Sequence, residues 1–122
     1  MLVALWIVNG LLALAFLGAG LLKVTRTNEQ LRDAGMTWTE GFTSRQVTLI
    51  GVAEVLGALG LVLPLATGIA PVLAPVAAVA LAGTMVGAVV VHVRRSESPA
   101  PAVALGVLSL VSAVLGFVVL LG

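Results

Sequence analysis

Four long apolar runs dominate the sequence, and each is long enough to cross a membrane. They cover about residues 2–22, 47–63, 71–93 and 102–121. A helix of roughly 17 to 25 apolar residues spans a hydrocarbon core of about 30 Å. Backbone polar groups in lipid need partners within the protein, so spanning segments of this kind form helices. The sequence therefore predicts an all-α membrane protein, an antiparallel bundle of four transmembrane helices.

The overall composition agrees with a membrane protein and narrows its chemistry. Of the 122 residues, 61% are hydrophobic and 9% are charged, whereas soluble domains carry about 25% charged residues. A net charge of +1 is too small for a nucleic-acid-binding surface. With no cysteine and one histidine, we expect no thiol chemistry and no metal site, and no motif indicates a cofactor. The length fits a single domain over residues 1–122.

The only long polar segment, residues 23–46, connects the first two spans. Within it Thr27 and Gln30 have the spacing of a capping box, which predicts a short helix lying at the membrane interface. Trp38 is suited to anchor this segment among the lipid head groups. The same capping pattern recurs at Thr43, where it marks the start of the second span. We expect a solvated connection that contains one surface helix.

The basic residues all fall on one side of the predicted bundle. In a four-span topology the 23–46 segment and the turn after the third span share a face. They contain every lysine and arginine of the chain: Lys23, Arg26, Arg32, Arg45, Arg94 and Arg95. The positive-inside rule then places the 23–46 segment in the cytoplasm and both termini outside. Because no basic region precedes the first apolar run, we expect no cleaved signal peptide.

Glu54 is an acidic residue placed deep within the second span. It follows Val47 by seven residues, hence about 10 Å along a helix. A carboxylate at that depth costs several kcal/mol unless it is paired or faces a polar cavity. Small residues lie one helical turn to either side, at Gly51 and Ala58, and small residues let helices pack closely. We therefore expect Glu54 to face the bundle interior.

Two further ionisable residues can reach Glu54 from the cytoplasmic side. Lys23 ends the first span and His92 ends the third, so antiparallel helices bring both toward the same end of the bundle. These three residues form our candidate catalytic or binding cluster, which would hold a polar head group or move a proton. The alternative is a purely structural ion pair. Asn9 and Thr84 are expected to be satisfied by hydrogen bonds between or within helices.

Three short segments resemble the DoxX-like family of bacterial four-helix membrane proteins. They are residues 20–23 (GLLK), 51–58 (GVAEVLGA) and 87–92 (GAVVVH), in an order and spacing that extend over nearly the whole chain. The resemblance implies a bacterial cytoplasmic membrane protein. The family's name comes from a subunit linked to thiosulfate and quinone oxidation, so the resemblance also implies a membrane-redox setting. Lack of cysteine argues against direct sulfur chemistry by this chain.

Three classes of function remain open at this point. The leading hypothesis is a membrane subunit or small enzyme whose Glu54 cluster holds a lipid-soluble substrate, a quinone or an isoprenoid, or serves a redox enzyme partner. The second is a structural scaffold that interacts with lipids, with other proteins or with its own copies. The third is a small proton-coupled transporter. Exporters of that kind carry their acid in the first helix, whereas this chain has Glu54 in the second.

Overall fold

The computed structural model describes residues 1–122 as helices joined by short connections. The four long helices are α1 (Leu2–Thr25), α3 (Ser44–Thr67), α4 (Leu73–Arg94) and α5 (Ala100–Leu121). Each is long and apolar enough to cross a membrane. Between α1 and α3 lie a short helix, α2 (Asn28–Asp33), and a single 3-10 helix (Thr37–Gly41). The predicted fold class is confirmed, including the short helix between the first two spans. We call this segment, residues 26–43, the first connection.

The second span was predicted too short. Helix α3 begins after Thr43, whose hydroxyl accepts a hydrogen bond from the Gln46 backbone N–H while the Gln46 side chain accepts one from the Thr43 N–H. It continues through Pro64 and ends at Gly68, which takes the left-handed conformation with φ 72°. The start agrees with the capping box predicted at Thr43, whereas the predicted span ended at residue 63, before a proline that removes one helical hydrogen bond. Similar shifts place the end of α1 at Thr25 and the start of α4 at Leu73.

The four long helices form a ring in which α1 and α4 each pack against α3 and α5. The closest crossing is between α1 and α3, where Gly20 faces Gly51. A methyl group added at Gly51 would lie 2.7 Å from Lys23 Cβ and 2.8 Å from the Gly20 carbonyl oxygen. The two backbones are therefore in direct contact. Outside the ring, many leucine and valine side chains are exposed and contact membrane lipid.

The half of the bundle away from the first connection contains a buried amide that joins three helices. Asn9 on α1 is fully buried. Its side-chain nitrogen donates to the Leu61 carbonyl on α3 at 2.9 Å, and its side-chain oxygen accepts from the Ser112 hydroxyl on α5. The Thr84 hydroxyl instead donates to the Ala80 carbonyl within α4. Both expectations for polar residues inside the spans are confirmed, one between helices and one within a helix.

The glycine contact predicts a large stability difference between two similar substitutions. Gly51→Ala should destabilise the bundle by about 1–3 kcal/mol, because the added methyl group must push the α1 and α3 backbones apart. Gly18→Ala serves as the matched control, since a methyl group there meets nothing within 4 Å. Thermal unfolding in a mild detergent, followed by circular dichroism, measures both variants. Equal stability of the two variants would contradict the close crossing.

Candidate functional site

Lys23 and Glu54 form an ion pair inside the bundle. The Lys23 Nζ atom lies 2.6 Å from Glu54 Oε1, and the side chains are only 9% and 3% exposed. Side chains on a helix tilt toward its N-terminus. Lys23 therefore points from the end of α1 into the bundle, while Glu54 points from the middle of α3 back toward the connection. The Gly20–Gly51 contact brings these two opposed side chains within reach.

Two aromatic residues of the first connection lie against the ion pair. The Trp38 ring centroid is 5.7 Å from Lys23 Nζ, a distance suited to a cation–π interaction. Phe42 packs edge to face on Trp38, with centroids 5.4 Å apart and an interplanar angle of 80°. From the sequence, Trp38 is predicted at the lipid interface and is not part of the predicted cluster. The signal that could have predicted this contact is that Trp38 lies in the segment that follows Lys23 in the sequence.

His92 lies beside this pair but is not bonded to it. Its Nδ1 atom is 3.2 Å from Glu97 Oε1, in the turn between α4 and α5. The imidazole is about one quarter exposed. Lys23 and Glu54 are thus brought into direct contact, whereas His92 takes a different carboxylate as its partner. Glu97 is not among the residues predicted from the sequence to form the site.

The Glu97 carboxylate links the first connection to the α4–α5 turn, and we call this link the Glu97 tether. Its carboxylate accepts a hydrogen bond from the Thr37 hydroxyl at 2.6 Å and one from Arg95 Nε at 3.3 Å. The hydrogen bond from Thr37, together with His92 and Arg95, lowers the pKa of Glu97 below its ordinary value. A lowered carboxyl pKa means that the tether is complete at neutral pH and weakens only as the pH falls through that lowered value. The tether holds Trp38 over the end of the bundle.

A cavity of about 420 Å³ lies beneath Trp38 and Phe42, at the end of the bundle that carries the first connection and the α4–α5 turn. Its volume falls in the range of about 300–1,000 Å³ that is typical of small-molecule sites. Lys23, Glu54, Thr84 and His92 supply the polar side chains of its lining, together with the indole of Trp38. The other lining residues are apolar side chains, glycine and proline, contributed by all four long helices and the first connection. All three residues of the predicted cluster therefore line one cavity.

The chemistry available in the cavity is hydrogen bonding and charge. An ammonium group has three donors, and the structure uses one of those of Lys23, for Glu54. No buried side-chain nitrogen or oxygen lacks a hydrogen-bond partner. No three histidine, aspartate or glutamate side chains converge in a way that could hold a metal ion. The site can donate to and accept from a polar group that enters beside the ion pair.

Comparison with known proteins supports the family suggested by the three sequence segments. The model of the DoxX-like family matches residues 7–116, which include all four long helices in large part. The search of curated proteins gave no match, and neither did the search of solved structures. Four helices able to span a membrane and a family match over most of the chain lead to one conclusion. The chain is a multi-pass integral membrane protein and belongs to the DoxX-like family.

Proposed function

We propose that the cavity binds the head group of a neutral, lipid-soluble molecule of the quinone class. One observation carries the proposal: a buried Lys23–Glu54 pair forms the polar end of a largely apolar cavity of about 420 Å³. Sites for small molecules commonly combine apolar walls with a few polar groups that fix orientation. A quinone has the matching form, an apolar ring with two polar oxygens.

The charge of the site favours a neutral head group. Lys23 is already neutralised by Glu54, and His92 lies against a second carboxylate, Glu97. An isoprenoid diphosphate would bring negative charge to a cavity that has no unpaired cation to receive it. A quinone carbonyl needs only one donor, which Lys23 Nζ retains, and a quinol hydroxyl can donate to Glu54. Among isoprenoid ligands, the same reasoning favours an uncharged alcohol over a diphosphate.

In this role the chain acts as the quinone-binding membrane subunit of a redox system. The ring lies in the cavity beside the ion pair and next to the aromatic side chains of Trp38 and Phe42. A redox enzyme partner, docked at the face that carries the arginine residues, supplies or takes the electrons. The alternative is a scaffold in which the ion pair only fixes α1 against α3.

Changes to the ion pair should weaken quinone binding without abolishing the fold. The chain has two tryptophans, so Trp6→Phe leaves Trp38 as a fluorescent reporter inside the cavity. A decyl-tailed benzoquinone should quench this fluorescence saturably. Lys23→Met, in the same background, should raise the Kd for the quinone about tenfold or more, because the carbonyl loses one hydrogen bond from a charged group. Glu54→Gln should raise the Kd for the reduced quinol by a similar factor, because the quinol hydroxyl is the group that donates to Glu54.

Glu29→Gln is the matched control for that experiment. Glu29 is an exposed carboxylate on α2 that does not line the cavity, so its removal should leave the Kd within about twofold, a change of less than 1 kcal/mol. Circular dichroism of each variant separates binding from folding. Normal quinone binding by a folded Lys23→Met protein, or normal quinol binding by a folded Glu54→Gln protein, would contradict the proposed site. Variants of Lys23 and Glu54 that fail to assemble would instead support the scaffold.

We also propose that the protein resides in a bacterial cytoplasmic membrane with the cavity end facing the cytoplasm. The support is the distribution of charge, because all six lysine and arginine residues lie at the end that carries the first connection and the α4–α5 turn. An excess of these residues marks cytoplasmic loops.

This orientation predicts that a reporter fused after Gly122 lies outside the cytoplasm. Alkaline phosphatase, which folds only outside the cytoplasm, should be active there, and green fluorescent protein at the same position should be dark. A fusion of either reporter within the first connection should show the opposite pattern. A fluorescent C-terminal fusion would contradict the proposed orientation.

A further inference from the structure

We propose that the cavity opens sideways into the bilayer between α3 and α4, and that the hydrocarbon tail of the ligand leaves the site through this opening. The inference rests on the proposed function and adds to it the path and the shape of the ligand. It follows from how the spacing between the two helices changes along their length.

The α3–α4 interface is tightly closed in the half away from the first connection. A methyl group added at Gly57 would lie 2.6 Å from Leu81 Cδ2, and one added at Gly60 would lie 2.9 Å from Ala77 Cβ. Neither position has room for a side chain. Glycine therefore brings the two helices into contact at this end, and nothing passes between them here.

The same interface is open in the half that holds the cavity. Because the helices are antiparallel, the positions that continue the Gly57–Leu81 pairing are Glu54 and Ile50 on one side and Thr84 and Gly87 on the other. Gly87 lines the cavity and is also exposed on the outside of the bundle. A methyl group added at Gly87 would meet nothing within 4 Å. The cavity wall thus reaches the outer surface of the bundle at this residue.

The opening lies at hydrocarbon depth. Gly87 precedes Arg94, the last residue of α4, by seven positions, which is about 10 Å along the helix. Thr84 lies one turn deeper, and its hydroxyl is already bonded to the Ala80 carbonyl at 3.1 Å. Because the Thr84 hydroxyl is already bonded, no side-chain donor is left unused at this edge. The hydrocarbon tail of a ligand therefore meets an apolar passage. The geometry fits a ligand with a polar head at Lys23 and Glu54 and a tail in the lipid.

Bulk added at Gly87 should remove the site's preference for a tailed ligand. In the Trp6→Phe background, the probes are the decyl-tailed benzoquinone and the benzoquinone with the same ring and no tail. The unmodified site should bind the tailed probe more tightly. Gly87→Leu should weaken binding of the tailed probe relative to the tail-less one by about tenfold, because displacing two methylenes from a passage has about that effect.

Gly83→Leu is the matched control, one turn away on the same helix. Gly83 is exposed and has nothing within 4 Å of an added methyl group, but it does not line the cavity. It should keep the full preference for the tailed probe. Thr84→Leu, which adds bulk at the same opening, should behave like Gly87→Leu and provides a second variant if one folds poorly.

The outcomes separate this inference from the proposed function. Failure of the unmodified site to bind either probe would contradict the quinone site itself. Binding of both probes with no preference for the tail, or an unchanged preference in Gly87→Leu and Thr84→Leu, would leave the quinone site in place. Either result would overturn the sideways opening.

Discussion

The ion pair between Lys23 and Glu54 depends on direct contact between two helix backbones. Each charge alone is costly in hydrocarbon, and removing one partner of a buried pair leaves the other uncompensated. The pair forms because Gly20 and Gly51 bring α1 and α3 together, and because side chains tilt toward the N-terminus of each helix. Lys23 therefore points into the bundle, whereas a lysine at the end of a membrane helix ordinarily extends toward the head groups.

The remaining features of this end of the bundle are arranged around that pair. Trp38 and Phe42 cover it from the side of the first connection, and the hydrogen bond from Thr37 to Glu97 keeps these aromatic side chains in place. Close packing of α3 against α4 at Gly57 and Gly60 closes the far end of the cavity, whereas a methyl group added at Gly87, near the pair, would meet nothing within 4 Å. A neutral head group would therefore be bounded by aromatic side chains above, by charge on one side and by lipid on the other.

The sequence predicted the parts of the structure that follow from local pattern. Apolar length predicted the four spans, and the depth of Glu54 among small residues predicted its inward position. Contacts between segments that are distant in the sequence could not be predicted in this way. His92 turns to Glu97 because the short α4–α5 turn folds back on its own helix, and Trp38 joins the site because the first connection folds over the bundle. Helix α3 continues past Pro64 because packing outweighs one lost hydrogen bond. Whether the three predicted residues act on a ligand stays a prediction.

The most direct test of this account is the distance between the lysine amine and the glutamate carboxyl in a lipid bilayer. Lys23 is the only lysine in the chain, so ¹⁵N-lysine labelling gives a single side-chain amine signal in solid-state NMR. With ¹³C-labelled glutamate, rotational-echo double resonance should show strong dephasing of that signal, and Glu54→Leu should abolish it. An amine signal with no dephasing, or dephasing that persists in Glu54→Leu, would contradict the buried pair on which the proposed site depends.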